Sequence, residues 1–202
     1  MLNTGCPTLP LFTFYFLCYI CYNSNVFVNP GKIIENLDLR PSMAVADFGC
    51  GSGHYSIGAA RIVGKSGKVY AIDIQQEMLG YVRSQAKLEG ISNIETIWAD
   101  LETSNATRLK ENSVDLVIIS NILFQAENKN RIIQEAFRIL KNGGRAAIIE
   151  WDVESQAQGF GPPMDSRIMS QKAKSLFEEA GFELEKEFNP GEHHYGLIFK
   201  KS

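Results

Sequence analysis

The sequence predicts an α/β fold: a doubly wound sheet of seven strands, mostly parallel, with an antiparallel last strand. Three observations carry this. From residue 43 onward, short apolar runs alternate with segments whose apolar residues recur at helical spacing. The first run, Val45-Ala46-Asp47-Phe48, passes directly into a turn with Gly49, Gly51 and Gly53 at alternate positions. A turn without side chains lets backbone N–H groups approach a ligand, and open α/β sheets bind ligands at that edge. The last two runs are joined only by the short turn around Asn189-Pro190-Gly191, which suits antiparallel neighbours and is too short for a parallel crossover.

The chain opens its ordered part with a turn and a helix. Asn29-Pro30-Gly31 is a turn, and Lys32 to Leu37 is a short amphipathic helix. Met43 to Phe48 is the first strand, and Ser56 to Val63 is helical, ending near Gly64. Lys68 to Ile74 is the second strand. Gln75 to Glu89 is a helix with Met78, Leu79, Val82, Ala86 and Leu88 in apolar spacing, ended by Gly90. Ile94 to Ala99 is the third strand. Val114 to Ser120 is the fourth, apolar throughout after Asp115, as a strand covered on both faces should be. Lys129 to Leu140 is a helix closed by Asn142-Gly143-Gly144, and Arg145 to Trp151 is the fifth strand. Arg167 to Ala180 is a helix stopped by Gly181. Phe182 to Phe188 and His194 to Lys200 are the final pair.

Composition limits the function classes. The chain has 202 residues and a net charge of −3, so it offers no basic field to hold nucleic acid. The basic residues Lys129, Arg131, Arg138 and Lys141 read as the solvated face and C-terminal end of one helix. Of the four cysteines, Cys6, Cys18 and Cys21 precede residue 22 and Cys50 lies in the glycine turn. Cys18 and Cys21 have metal or redox spacing, but no second pair completes a tetrahedral site, so no metal is expected. The rest of the chain reads as a protein of a reducing, cytoplasmic compartment.

Leu9 to Tyr22 is apolar and uncharged, and is shorter than the roughly 20 residues that span a bilayer. It also lacks the positive leader of a secretory signal, the first Lys or Arg being Lys32. Residues 1–24 are therefore read as an extension outside the fold, and residues 25–202 as one domain. Membrane contact through residues 9–28 is the alternative, not favoured. The sequence does not fix the oligomeric state.

The glycine spacing separates cofactor classes. The dinucleotide fingerprint needs a glycine three positions after the second. Here that position is His54, and Gly53 comes one residue too early. The strand ends then supply three acids: Asp47, Asp73 and Asp100. Asp73 can accept from both hydroxyls of a ribose. Asp100, being acceptor-only, can take an exocyclic amine such as that of adenine. Any one of them alone could as well cap a helix; three in register beside a glycine turn indicate a nucleoside-containing ligand.

This constellation resembles the class I S-adenosylmethionine-dependent methyltransferases, Rossmann-like proteins, over about residues 26–200. Val45 to Gly53 is similar to the first motif of that family and Val69 to Asp73 to its ribose-binding motif. Ala99-Asp100 is similar to the adenine-binding motif, Val114 to Asn121 to the fourth-strand motif, and Leu140 to Arg145 to the turn before strand five. Within the family the chain is most similar to the small-molecule branch of quinone and sterol methylases, the methyltransferase 11 type. The resemblance implies S-adenosylmethionine as cofactor. It gives Gly49, Cys50, Gly51 and Gly53 to the methionine end, Asp47 to the ammonium, Asp73 to the ribose and Asp100 to the adenine amine. Ile74 and Leu101 would flank the adenine ring, and Asn121 would meet cofactor or substrate.

The implied reaction is in-line methyl transfer to a small-molecule acceptor of lipophilic type. It needs alignment and exclusion of water, and a general base only for an acceptor proton of high pKa. His54 and His194 are the candidate catalytic residues. Gly159 to Met164 is a candidate substrate loop. A nicotinamide-dependent oxidoreductase and a non-catalytic cofactor-binding module are the alternatives.

Overall fold

The computed structural model describes residues 30–153 and 161–202. Residues 1–24, the apolar run 9–28, Cys18, Cys21 and Phe160 lie outside the described residues. The elements are α1 (Pro30–Asn36), β1 (Ala44–Phe48), α2 (His54–Val63), β2 (Lys68–Asp73), α3 (Gln76–Leu88), β3 (Ile94–Trp98), β4 (Val114–Ser120), α4 (Lys129–Ile139), β5 (Leu140–Trp151), a 3-10 turn (Met164–Ser166), α5 (Ser170–Glu179), β6 (Phe182–Phe188) and β7 (His194–Lys201).

The strands form one Rossmann-like sheet of seven in the order β3-β2-β1-β4-β5-β7-β6. Pairing is parallel from β3 through β5. The last strand, β7, runs antiparallel to both neighbours. It inserts between β5 and β6, so β6 forms one edge of the sheet and β3 the other. The order reverses between β1 and β4, which puts the glycine turn at the crevice where open sheets bind ligands.

Both faces are covered, which is why β4 carries no polar alternation. On one face Phe48, Ile72, Val117, Ile119, Ile148 and Phe199 pack with Ile133 of α4 and Phe177 of α5. On the other, Val45, Val69, Leu116, Ile118 and Ile149 pack with Ile33 of α1 and Ala59 and Val63 of α2. The Phe177 and Phe199 rings stack at 4.7 Å. Each fully buried large side chain stabilises the fold by about 1.5–3 kcal/mol, so these two layers hold the sheet and leave its carboxyl edge free to carry turns.

Most boundaries fall within two residues of those expected from the sequence, and two differ by more. β5 begins at Leu140 rather than Arg145, because Leu140 already pairs with Val114 and the next ladder pair is Arg145 with Leu116. The glycine-rich residues between them bulge out of the ladder. Second, α5 begins at Ser170, not Arg167. The buried Arg167 guanidinium donates to the Asp152 carbonyl at 2.7 Å and the Pro162 carbonyl at 3.1 Å, and lies over the Trp151 ring. Those tethers hold its backbone extended, ψ 149°.

Arg138 of α4 and Lys141, which the structure places in β5 and not at the helix end, do more than face solvent. Arg138 pairs with Glu135, whose side chain is buried, and Lys141 with Asp115. No helix among the described residues is long and apolar enough to cross a membrane.

Candidate functional site

The glycine turn is fastened to the neighbouring strand by its own backbone. The N–H groups of Gly49 and Cys50 both donate to the Ile72 carbonyl, at 2.8 and 2.9 Å. Gly49, Gly51 and Gly53 have φ of 69°, 49° and 82°, a region other residues enter only at a cost. A β-carbon on Gly49 would collide with Ile122, and one on Gly53 would lie 2.7 Å from Val82 Cγ2. At Gly51 it would meet nothing within 4 Å, so the crest of the turn borders open space. Gly53 then caps α2, its carbonyl accepting the Ile57 N–H at 2.8 Å.

Asp73 closes β2 against this turn. One carboxylate oxygen accepts the Gly51 N–H and the other the Gln75 N–H, each at 2.9 Å. A carboxylate oxygen has two acceptor positions, so both keep one for a further donor. Ile74 follows, 59% exposed, its carbonyl held by the Trp98 indole N–H at 2.8 Å. Beyond β3, exposed Asp100 accepts the Glu102 N–H at 2.9 Å, a local turn that explains its place just past the strand end. Leu101 turns inward and packs beneath the site beside Phe48 and Ile72.

Asp47 lies under the turn rather than in the opening. It is 1% exposed and accepts from Ser56 Oγ at 2.6 Å. Its other oxygen is buried and has no donor among the described residues. Burial pushes this carboxyl up to about 7, the Ser56 hydrogen bond opposing and the Asp73 charge reinforcing the shift. Cys50 beside it is a buried free thiol, pushed up by burial and by the charges of Asp47 and Asp73. Asn121 follows β4 with φ 55°; its N–H donates to the Ile149 carbonyl at 2.9 Å, and its buried Oδ1 has no donor among the described residues.

The fold thus brings Asp47, Gly49, Cys50, Gly51, Gly53, Asp73, Ile74, Asp100, Leu101 and Asn121 to adjacent strand ends. The two histidines part company. His54 is the exposed first residue of α2, next to the turn. His194 opens β7, and two strands, β4 and β5, separate it from the turn-bearing β1. Its Nδ1 lies 3.1 Å from the Glu192 carbonyl and its ring 4.1 Å from that of Trp151. Burial pushes its imidazole down to about 4, so it is neutral at pH 7. It also lines a shallow cleft of about 520 Å³ at the β6–β7 turn, on the far side of β5 from the glycine turn.

One residue of this edge escaped the sequence reading. Glu150 is fully buried near the end of β5, and its Oε1 accepts the Leu123 N–H at 2.7 Å. Burial pushes its carboxyl up to about 8, against the pull of the N–H groups of Leu123, Ile122 and Phe124. The signal was a lone acid in the otherwise apolar run Ala146 to Trp151.

Known proteins share this fold. Over 123 residues the chain is 32% identical to the ubiquinone/menaquinone biosynthesis C-methyltransferase UbiE of Hydrogenovibrio crunogenus, covering 61% of this chain and 48% of that protein. The chain spans about half the length of the curated relatives it matches. Among solved structures, a SAM-dependent methyltransferase from Aquifex aeolicus superposes with a TM-score of 0.78 at 26% identity, covering 87% of this chain and 91% of that one. The [4+2]-cyclase SpnF superposes at 0.76 with 15% identity over 98% of this chain and 99% of that one, a likeness of fold alone. The family described as "Methyltransferase domain" matches residues 39–181, a span that takes in the glycine turn, all three strand-end acids and Asn121, and the chain belongs to that family.

Proposed function

We propose that the chain transfers the methyl group of S-adenosylmethionine to a small-molecule acceptor. The observation that carries this reading is the Gly51 crest, open to space and tethered by an Asp73 carboxylate that keeps accepting capacity. The residues present fit that cofactor. Asp73 would hold the ribose hydroxyls, and Asp100 the adenine amine. Ile74 would offer apolar surface to the base, with Leu101 supporting it from the core side. Gly49, Cys50, Gly51 and Gly53 would let the methionine end pass close to the backbone. Asp47, being buried, would act on the ammonium through the turn it underlies. Asn121 would border the reacting end.

Bound S-adenosylmethionine supplies a methyl on a sulfonium, whose departure as a neutral thioether asks no acid of the protein. What remains for the chain is alignment and exclusion of water. A lipophilic, quinone-like acceptor is supported by the relatives' names, ubiquinone/menaquinone C-methyltransferases. The net charge of −3 argues against nucleic acid. The reading includes a cytoplasmic location, to which the free thiol of Cys50 is suited.

Calorimetry with S-adenosylmethionine and S-adenosylhomocysteine tests the cofactor. Transfer of labelled methyl into a lipid-soluble metabolite fraction tests the acceptor class. Absence of binding overturns the proposal; binding without transfer to any metabolite leaves a cofactor-binding module in place of an enzyme.

A further inference from the structure

We propose that Glu150 is a positioning residue for the cofactor turn, holding the segment Ile122 to Phe124 against Gly49. The inference rests on the functional reading above. Glu150 sits on β5, two strands from β1, and is fully buried. Its Oε1 takes the Leu123 N–H at 2.7 Å, and the N–H groups of Ile122 and Phe124 oppose the upward push of burial on the same carboxyl.

The segment begins directly after Asn121, whose backbone is left-handed, φ 55°. An asparagine tolerates that conformation better than most side chains, but at a cost that the surroundings must offset. Glu150 supplies the opposing group. The segment it holds is the one whose Ile122 side chain lies directly on Gly49, with no room for a β-carbon between them. The chain of contact therefore runs from β5, through the segment after β4, to the first glycine of the turn.

A buried acid that merely stabilises the sheet would show none of this direction. Its second oxygen, Oε2, is buried with no partner among the described residues, so the side chain is not a saturated structural bridge. On the opposite strand, Tyr195 is its ladder partner and donates its hydroxyl to the Ile168 carbonyl at 2.9 Å rather than to Glu150.

The test uses the full chain and S-adenosylmethionine itself, after circular dichroism has established which variants fold. Glu150→Gln keeps an oxygen for the Leu123 N–H and is expected to bind within about threefold of the unaltered chain. Glu150→Leu keeps the volume and removes the acceptor; it is expected to weaken binding about tenfold. Ile122→Ala trims the contact on Gly49 and is expected to weaken binding as well, with less than additive effect when combined with Glu150→Leu. Equal dissociation constants for the unaltered chain, Glu150→Gln and Glu150→Leu overturn the inference. Should Glu150→Leu fail to fold, Glu150→Asp, which withdraws the carboxyl, and Ile122→Ala decide, and unchanged affinity in both overturns it. An unaltered chain that binds no S-adenosylmethionine overturns the functional reading instead.

Discussion

The Asp73 carboxylate accepts the Gly51 N–H at 2.9 Å. With its other oxygen it accepts the Gln75 N–H, so one side chain joins the end of β2, the crest of the glycine turn and the approach to α3. The residue assigned to the ribose is therefore also part of the scaffold that shapes the turn.

Replacing Asp73 should show both roles at once. Asp73→Ala leaves two N–H groups without their acceptor and should lower stability by about 1–3 kcal/mol in urea unfolding. In the fraction that stays folded, S-adenosylmethionine affinity should fall by more than about tenfold. Asp73→Asn keeps the shape but offers only one oxygen, and should lie between. Unchanged affinity in Asp73→Ala would remove the residue from the ligand site and leave it only the scaffold role.

Gly51 and Gly53 separate space from strain. Gly51→Ala introduces a methyl where nothing lies within 4 Å. Its cost to folding is the left-handed backbone alone, about 1–2 kcal/mol, while the methyl enters the space the cofactor would use. Gly53→Ala adds a collision with Val82, at 2.7 Å, to its own left-handed φ of 82°. Thermal melts should rank Gly53→Ala below Gly51→Ala in stability, and calorimetry should show Gly51→Ala folded but impaired in binding. A Gly51→Ala chain that binds normally would mean the cofactor does not pass the crest.

Strand and helix order was legible because the periodicities are local: β4, Val114–Ser120, coincides with the apolar run that follows Asp115. The site was legible where it consists of a turn and acids at strand ends, since both are marked by residue type. What was not legible depends on partners distant in sequence. That β7 lies between β5 and β6 follows from ladder pairing, not from any pattern within its own residues. Arg167 reads as helical by spacing, yet carbonyls at 152 and 162 hold it extended. Glu150 passed unnoticed: an acid among apolar residues is a signal, but only folding shows that the Leu123 N–H is what it holds.

Glu150 and Asp47 give stability a definite pH slope. Their carboxyls are pushed up to about 8 and about 7 by burial, against about 4 in an unfolded chain. Between those values the folded state holds protons that the unfolded state has released, so stability falls as pH rises. The decline should run from about pH 4.5 to about pH 8 and then level off. Glu150→Gln should flatten the upper part of that decline, leaving the Asp47 share ending near pH 7. Melting temperatures measured from pH 5 to pH 9 decide this, and identical slopes in both chains would mean Glu150 is ionised in the folded state.

Glu135 works in the opposite sense. Its side chain is 3% exposed and accepts from Arg138 at 2.8 and 2.9 Å, and from the Thr107 N–H and hydroxyl at 3.0 and 2.6 Å. Arg138 also donates to the Leu109 carbonyl at 2.7 Å, so the pair fastens the connection between β3 and β4 onto α4. Burial alone would raise the Glu135 carboxyl, but the Arg138 and Thr107 hydrogen bonds outweigh it and hold the group below its ordinary value. A depressed folded value means stability that is present above the unfolded value, about 4.3, and lost as pH falls through the folded one. Glu135→Gln should therefore cost about 2–3 kcal/mol at pH 7, where it leaves Arg138 without its anion. The difference should shrink in acid, as the native carboxyl takes up its proton and comes to resemble the amide. Urea unfolding of both chains at neutral and acid pH measures this; a gap that persists undiminished in acid would show that Glu135 acts through shape and not through charge.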